Sequence, residues 1–385
     1  MPDTPLLFQP LRLRGETLRN RVVVSPMCQY SAHEGHLTDW HLVHLGRFAT
    51  GGAGLVFAEA TAVQKRGRIT HGDAGLWEDG QIAGHARVCH FLAQHGAVPA
   101  IQLAHAGRKA GMQRPWFGNG PLDEADLARG DMPWTPVGPT AEPVPGGFAE
   151  PRPLAPAEIA DLVEDFAAAA RRAIRAGYRA IEVHGAHGYL IHSFLSPLAN
   201  RRNDAYGGDL AGRMRLALEA TEAVRGAIPD EVPLFFRVSS VDGAEDGWSL
   251  EDTVALAQAL KPLGVDVIDC SSGGIAGPAT AAKGAKRQPG WQVPYAARVR
   301  AETGLKTQAV GLLTHPAQAE QVLAEGAADL IALGRELLAD PMWAHRAAAE
   351  LGHAPDYADW PEPYGWWLAR RDWTSEFWRP ADAAE

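Results

Sequence analysis

Residues 156–187 read PAEIADLVEDFAAAARRAIRAGYRAIEVHGAH. The first two thirds form an amphipathic run rich in Ala, Leu and Glu. Pro156 stands at its start, where a helix tolerates proline, and Gly177 stands at its end, where a left-handed residue is often required. Then comes AIEVH, residues 180–184, a short apolar run that suits a parallel strand buried on both faces. Two histidines, His184 and His187, follow at once. The segment is a helix, a turn and a strand with polar chemistry at the strand's end.

The same alternation extends in both directions. Strand-like runs occur at 21–25, 54–59, 98–103, 180–184, 233–238, 266–270, 306–310 and 330–333. Helical segments lie between most of them, at 42–49, 79–94, 156–176, 210–227, 250–263, 294–302 and 316–325. Thr38 or Asp39, Ser249 and Thr314 are candidate N-caps. Gly177, Gly264, Gly304 and Gly326 punctuate helix ends. Eight such units predict an α/β fold, a closed (β/α)8 TIM barrel, with an open doubly wound sheet as the main rival. One barrel is expected to occupy 1–385, with no close repeat of fixed period.

Residues 107–153 break the rhythm. This Pro- and Gly-rich stretch holds Trp116, Phe117, Trp134 and Phe148 but no regular element of any length. A loop this long is usually functional or disordered, and its aromatic content predicts an ordered excursion. Following the third strand, it belongs at the C-terminal mouth, where barrel active sites form. Residues 271–292, after the sixth strand, form a second long loop on that face.

Composition narrows the class. The chain has 385 residues, a formal net charge of -10 and only three cysteines, Cys28, Cys89 and Cys270. The acidic excess disfavours nucleic acid and anionic membranes, although a local pocket can still be basic. The cysteines suit neither a disulfide framework nor a zinc ribbon, so a cytoplasmic setting is expected. The N-terminus lacks a signal peptide's apolar stretch. No segment reaches the roughly 18 apolar residues of a membrane helix, and no sustained basic-aromatic strip suggests a nucleic-acid partner.

Several residues could carry chemistry. His184 and His187 could hold a substrate oxygen as negative charge develops, bind zinc with Glu182, or be structural. Tyr189 could donate a proton. Cys28, in VVVSPMCQY, could touch a redox cofactor, attack a substrate or fill space, with Tyr30 beside it. Arg237 must serve an anion or an internal ion pair. Gln102 offers an amide that donates and accepts. Gly311, Gly334 and Arg335 follow the last two strands, where barrels commonly cradle phosphate. Ser271–Gly274 could line the same side or turn the chain. No dinucleotide-binding glycine fingerprint or P-loop is found, so a nicotinamide would visit the substrate's mouth.

Together SPMCQY, IQLAHAGRKA, IEVHGAHGYLIHSFLSPLANRRNDAYGG and ADLIALGRELLADP carry a resemblance over nearly the whole chain. It resembles the Old Yellow Enzyme family of FMN-dependent ene-reductases, most closely the bacterial thermophilic-like or xenobiotic-reductase branch. The resemblance implies that His184 and His187 hold the substrate's activating oxygen, and that Tyr189 donates a proton. It implies that Cys28 modulates the flavin and that Tyr30 assists substrate binding. Ser25, Pro26, Met27, Ala60, Gln102 and Arg237 match flavin-ring contacts, and Gly311, Gly334 and Arg335 the phosphate and ribityl end. Lys109, beside Arg108, matches a basic position near the dimethylbenzene side. Implied cofactors are non-covalent FMN and transient NADPH, or NADH, with no metal. The implied reaction is ping-pong hydride transfer to the double bond of enones, maleimides or nitroalkenes.

In the tail, 361–385, Trp367 resembles a tryptophan that enters its own site, while Arg370 and Arg371 resemble residues that reach a neighbour. A homodimer or homotetramer is implied. Three rivals remain: an iron–sulfur dienoyl-reductase relative, for which the cysteines are too few; a metal-dependent lyase or hydrolase; and a flavin-binding protein without turnover.

Overall fold

Each of the eight apolar runs becomes a strand of one closed, all-parallel barrel in the computed structural model, which describes residues 4–276, 287–354 and 356–375. The strands are β1 (Val22–Val24), β2 (Leu55–Ala62), β3 (Val98–Ala104), β4 (Ala180–Gly185), β5 (Leu234–Ser239), β6 (Val267–Ser271), β7 (Lys306–Ala309) and β8 (Leu330–Leu333). They pair in chain order, and β8 closes on β1 through Ile331 opposite Val22. The open doubly wound alternative is thereby excluded.

Helices follow the strands in turn: α1 (Asp39–Thr50), α2 (Ile82–Gln94), α3 (Pro156–Ala176), α4 (Leu210–Ala227), α5 (Leu250–Leu260), α6 (Val293–Thr303), α7 (Pro316–Ala324) and α8 (Trp343–Glu350). In α3, Ile159, Leu162, Phe166, Ala170 and Ala173 are buried, a helical-period face laid on the barrel. Thr38 and Ser249 cap α1 and α5 as expected. For α7 the cap is His315, one residue later than Thr314, because Pro316 fixes the first helical position.

The N-terminus forms a hairpin that the apolar-run pattern does not reveal. Leu11–Leu13 pairs antiparallel with Glu16–Leu18. Leu13 and Leu18 join Val23, Leu55, Phe57, Phe235, Val267 and Leu330 in one buried cluster inside the barrel. Arg14 pairs with Asp266 at 2.7 Å, the Gly15 N–H donates to the Glu231 carbonyl at 3.0 Å, and Glu16 accepts from Arg179 Nε at 2.8 Å. All three partners stand just before strands, so the hairpin closes the N-terminal end. The opposite end is left for a ligand.

The excursion 107–153 is ordered, and it is less irregular than its composition suggests. A single helical turn, Glu124–Ala128, is capped by Asp123, whose carboxylate accepts from the Ala125 and Asp126 N–H groups. Val137–Gly138 pairs with Arg152–Pro153. Trp134 donates to the Arg66 carbonyl at 2.9 Å and lies under the Arg68 guanidinium at 5.0 Å. Within the loop after β6, residues 277–286 lie outside the described residues, as does 376–385 of the tail. The tail begins in helix α9 (Glu362–Ser375).

Candidate active site

Strand register decides which side chains meet at the mouth. His184 on β4 pairs with Arg237 on β5, Arg237 with Asp269 on β6, and Asp269 with Gln308 on β7. Gln102 on β3 pairs with Ala60 on β2 and Glu182 on β4. A polar layer therefore lies across the barrel above its apolar floor. Gln102 donates to Glu182 at 2.7 Å, and Arg237 Nε stands 3.3 Å from Asp269. The internal ion pair is thus present for Arg237. Burial, then the Asp269 charge, pushes Glu182 well above the usual carboxylate range. Burial raises Asp269 above the usual carboxylate range, against the opposing charge of Arg237.

The turn after β4 places the imidazoles. Their rings stand 5.2 Å apart at 74°, and the Tyr189 ring lies 5.2 Å from His184. His187 has a left-handed φ of 61°. Its N–H donates to Ser239 Oγ at 2.9 Å, and its Nε2 lies 2.7 Å from Ser271 Oγ. Burial, reinforced by the Arg237 charge, pushes both imidazoles well below their ordinary range. Near neutral pH they are uncharged, each with one ring N–H to donate.

A second pair supports this turn from behind. The Gly188 N–H donates to His192 Nδ1 at 2.7 Å, which leaves the His192 proton on Nε2, 2.9 Å from Asp242. Asp242 also accepts from Ser196 Oγ and the Trp248 N–H. Sequence reasoning missed His192 and Asp242, along with Ser239. His192 stood in a quoted motif, but nothing in its spacing points to an aspartate beyond the next strand.

Across the mouth, Cys28, Tyr30 and Tyr189 pack on Ile69, Ala106, Ala110 and Met112, with Trp134 and Phe148 of the excursion. Burial, then Glu59 and Asp73, raises the Cys28 thiol well above its usual value, against hydrogen bonds from the Ala60 backbone and the Tyr30 hydroxyl. A neutral thiol is a poor nucleophile. Burial likewise raises both phenols, which stay protonated.

The loops after β6, β7 and β8 enclose a cavity of about 200 Å³. His187, Ser271, Gln292, Gly311, Gly334 and Arg335 are among its lining residues, so the expected phosphate end shares one space with His187. Gly311 has φ +124°, and a Cβ there would lie 3.3 Å from Gln292. Met27 Sδ lies 3.7 Å from where a Gly334 Cβ would stand, and the Ser25 N–H donates to Leu333, so the first loop borders the eighth. Arg335 is exposed and makes no ion pair among the described residues.

Trp367 is the expected residue that the structure does not bring here. It is 67% exposed on α9 and packs edge-on against Trp366, itself under the Arg370 guanidinium. It does not line the cavity. The metal alternative also lacks a ligand set: among the described residues no three His, Cys, Asp or Glu side chains converge on one point, and Glu182 is engaged by Gln102.

The orphaned polar atoms point to a polar ring. Ser25 Oγ, His184 Nδ1 and both Gln308 amide atoms are buried without hydrogen-bond partners. Each such group costs about 1–3 kcal/mol, and folded proteins keep few. This mix of donors and acceptors, with an arginine and open glycine turns at the far end, fits a flavin with its phosphate.

A parallel barrel carrying that donor set at its C-terminal mouth defines a flavin-type oxidoreductase. Comparison with known proteins places it further. Residues 6–353 match the model of the NADH:flavin oxidoreductase / NADH oxidase family. The chain is 42% identical over 349 residues to an NADPH dehydrogenase of Geobacillus sp. (strain WCH70), covering 90% of this chain and 95% of that one. An NADPH dehydrogenase of Listeria monocytogenes is 43% identical over 348 residues, with the same coverage.

Among solved structures, morphinone reductase superposes with a TM-score of 0.75 at 26% identity, over 91% of each chain. A 2-naphthoyl-CoA reductase superposes at 0.80 and 26% identity over 91% of this chain, which spans only 53% of that longer protein. The chain belongs to this family, the Old Yellow Enzyme family of FMN-dependent oxidoreductases. It is an enzyme of the ene-reductase type, and FMN and NAD(P)H are its cofactors. No described helix is long and apolar enough to cross a membrane.

Proposed function

We propose that the enzyme reduces activated carbon–carbon double bonds, such as those of enones, maleimides and nitroalkenes, with NADPH or NADH as the donor. The observation that carries this reading is the neutral His184–His187 pair beside a protonated Tyr189. FMN, when bound, would supply the redox chemistry, hydride transfer between the nicotinamide and the alkene.

The chain's own residues do the rest. Ser25, Pro26, Met27, Ala60, Gln102 and Arg237 hold the ring, and Gly311, Gly334 and Arg335 hold the phosphate end. His184 and His187 donate N–H groups to the substrate's carbonyl or nitro oxygen and stabilise the negative charge that develops there. Tyr189 hands its proton to the α-carbon. Cys28 tunes the cofactor rather than attacking substrate, and Tyr30 steadies the ligand. The packed excursion keeps water from this side of the mouth. Donor and substrate share one opening, which predicts ping-pong kinetics.

A soluble, single-domain cytoplasmic homodimer or homotetramer accommodates this reading, with Trp367 acting at the site or at a subunit interface. Removing both imidazoles tests the core of it. His184→Ala with His187→Ala should keep FMN bound and lower enone kcat/KM by at least about 10²-fold, the range for a lost oxyanion donor. Wild-type turnover in the double variant would refute the oxygen-binding role.

A further inference from the structure

Two adjacent cations of the third loop are buried beneath the mouth: Arg108 is 5% exposed and Lys109 is 1% exposed. The Arg108 guanidinium donates to the Ile275 carbonyl. The Lys109 ammonium donates to the Gly274 carbonyl and, at 2.7 Å, to the His187 carbonyl. One ammonium thus joins three loops, those after β3, β4 and β6. It also stands 5.5 Å from the centroid of the Tyr189 ring, within cation–π reach.

The contact has no slack. A Cβ on Gly188 would lie 2.8 Å from Lys109 Nζ and 2.3 Å from the Gly274 oxygen. A Cβ on Gly274 would lie 2.6 Å from His187 Cα. Both glycines hold left-handed φ values, +73° and +95°. Burying an ammonium is costly; here desolvation, then Arg108, lowers Lys109 to about 7. Bridging loops alone needs no cation. This cation meets the backbone of one imidazole and the face of the phenol.

We propose that Lys109 is a positioning residue: by holding the His187 carbonyl and the Tyr189 ring together, it fixes the oxygen-binding imidazole and the proton-donating phenol relative to each other. It does so without touching the substrate. This inference rests on the ene-reductase reading above. His187 occupies a left-handed conformation that is strained for a residue with a β-carbon. Its N–H is tied to Ser239 and its carbonyl to Lys109, so loss of the ammonium frees one end of the strained residue.

The test compares wild type, Lys109→Met and Lys109→Gln as full-length FMN-loaded proteins. Cyclohex-2-enone is titrated against the oxidised enzyme, where no hydride is available, and the perturbed flavin absorbance reports its dissociation constant. Steady-state kcat and KM are measured beside it. Lys109→Met should keep its flavin and melting temperature, bind the enone about tenfold more weakly and lose kcat. Lys109→Gln, which retains an N–H donor for the carbonyls, should recover part of the affinity.

Wild-type affinity and kcat in Lys109→Met would overturn the proposal. Loss of flavin or a collapsed melting temperature in both variants would also overturn it, by making Lys109 merely structural. If wild type itself fails to reduce the enone with NADPH, the ene-reductase reading is what fails. Amide exchange over 186–190 then decides the positioning claim: faster exchange in Lys109→Met supports it, and unchanged exchange refutes it.

Discussion

Cys28 shows how much a single residue leaves open until its neighbours are known. Redox tuning, nucleophilic attack and space filling all suit a lone cysteine at a strand end. The fold surrounds it with Glu59, Asp73 and two phenols, and burial with those carboxylates keeps the thiol protonated. Nucleophilic attack is therefore disfavoured. Cys28→Ala should shift the flavin midpoint potential by roughly 30 mV, equivalent to about 1.4 kcal/mol for a two-electron couple. Turnover should fall by less than about tenfold. A redox titration that superimposes on wild type would remove Cys28 from the cofactor's environment.

The histidine pair was legible because His184 and His187 follow an apolar strand directly. Arg237 was legible because an arginine inside such a strand requires a partner. Their support was not. Asp242 reaches His192 only after β5 has been laid beside β4. Lys109 stood in a quoted motif, yet its partners at Gly274 and His187 belong to loops that the sequence keeps far apart.

At the scale of elements, all eight strands were readable because parallel barrel strands are buried on both faces. Their apolar runs stand out against amphipathic helices. Short irregular devices were harder to read. The β2 register shifts between Ala58 and Ala60. Between them, Glu59 lies 3.2 Å from His41 and accepts from the Gln29 N–H, anchoring the loop that carries Cys28 and Tyr30. A bulge depends on the neighbouring strand, so no periodicity within β2 announces it.

The N-terminal hairpin escaped for the same reason, since Leu13 and Leu18 acquire meaning only under a closed barrel. Leu18→Ala should cost about 2–5 kcal/mol of stability. Because Leu18 lies at the closed end, enone KM and flavin potential should stay unchanged. Denaturant unfolding and kinetics on one preparation check both halves, and an altered KM would show that the two ends are coupled.

The whole molecule divides its tasks by end. The hairpin and its ion pairs seal the N-terminal face, while the long loops open the other. The net charge is -10, yet Arg108, Lys109, Arg237 and Arg335 gather around the mouth. An acidic protein can thus offer an anionic cofactor a basic recess. The tail is where local reading ran out. Trp366 and Trp367 sit exposed on α9, and the pattern PYGWWLAR does not say whether their partner is the same chain or another.

The central claim is that this mouth carries hydride from a nicotinamide, through FMN, to an activated alkene. An anaerobic absorbance spectrum of the purified protein tests it most directly, recorded before NADPH, after NADPH, and again after cyclohexenone. The account predicts a flavin band near ~450 nm that bleaches with NADPH and returns with the enone. A colourless protein that cannot take up added FMN, or a flavin band that NADPH leaves intact, would contradict it.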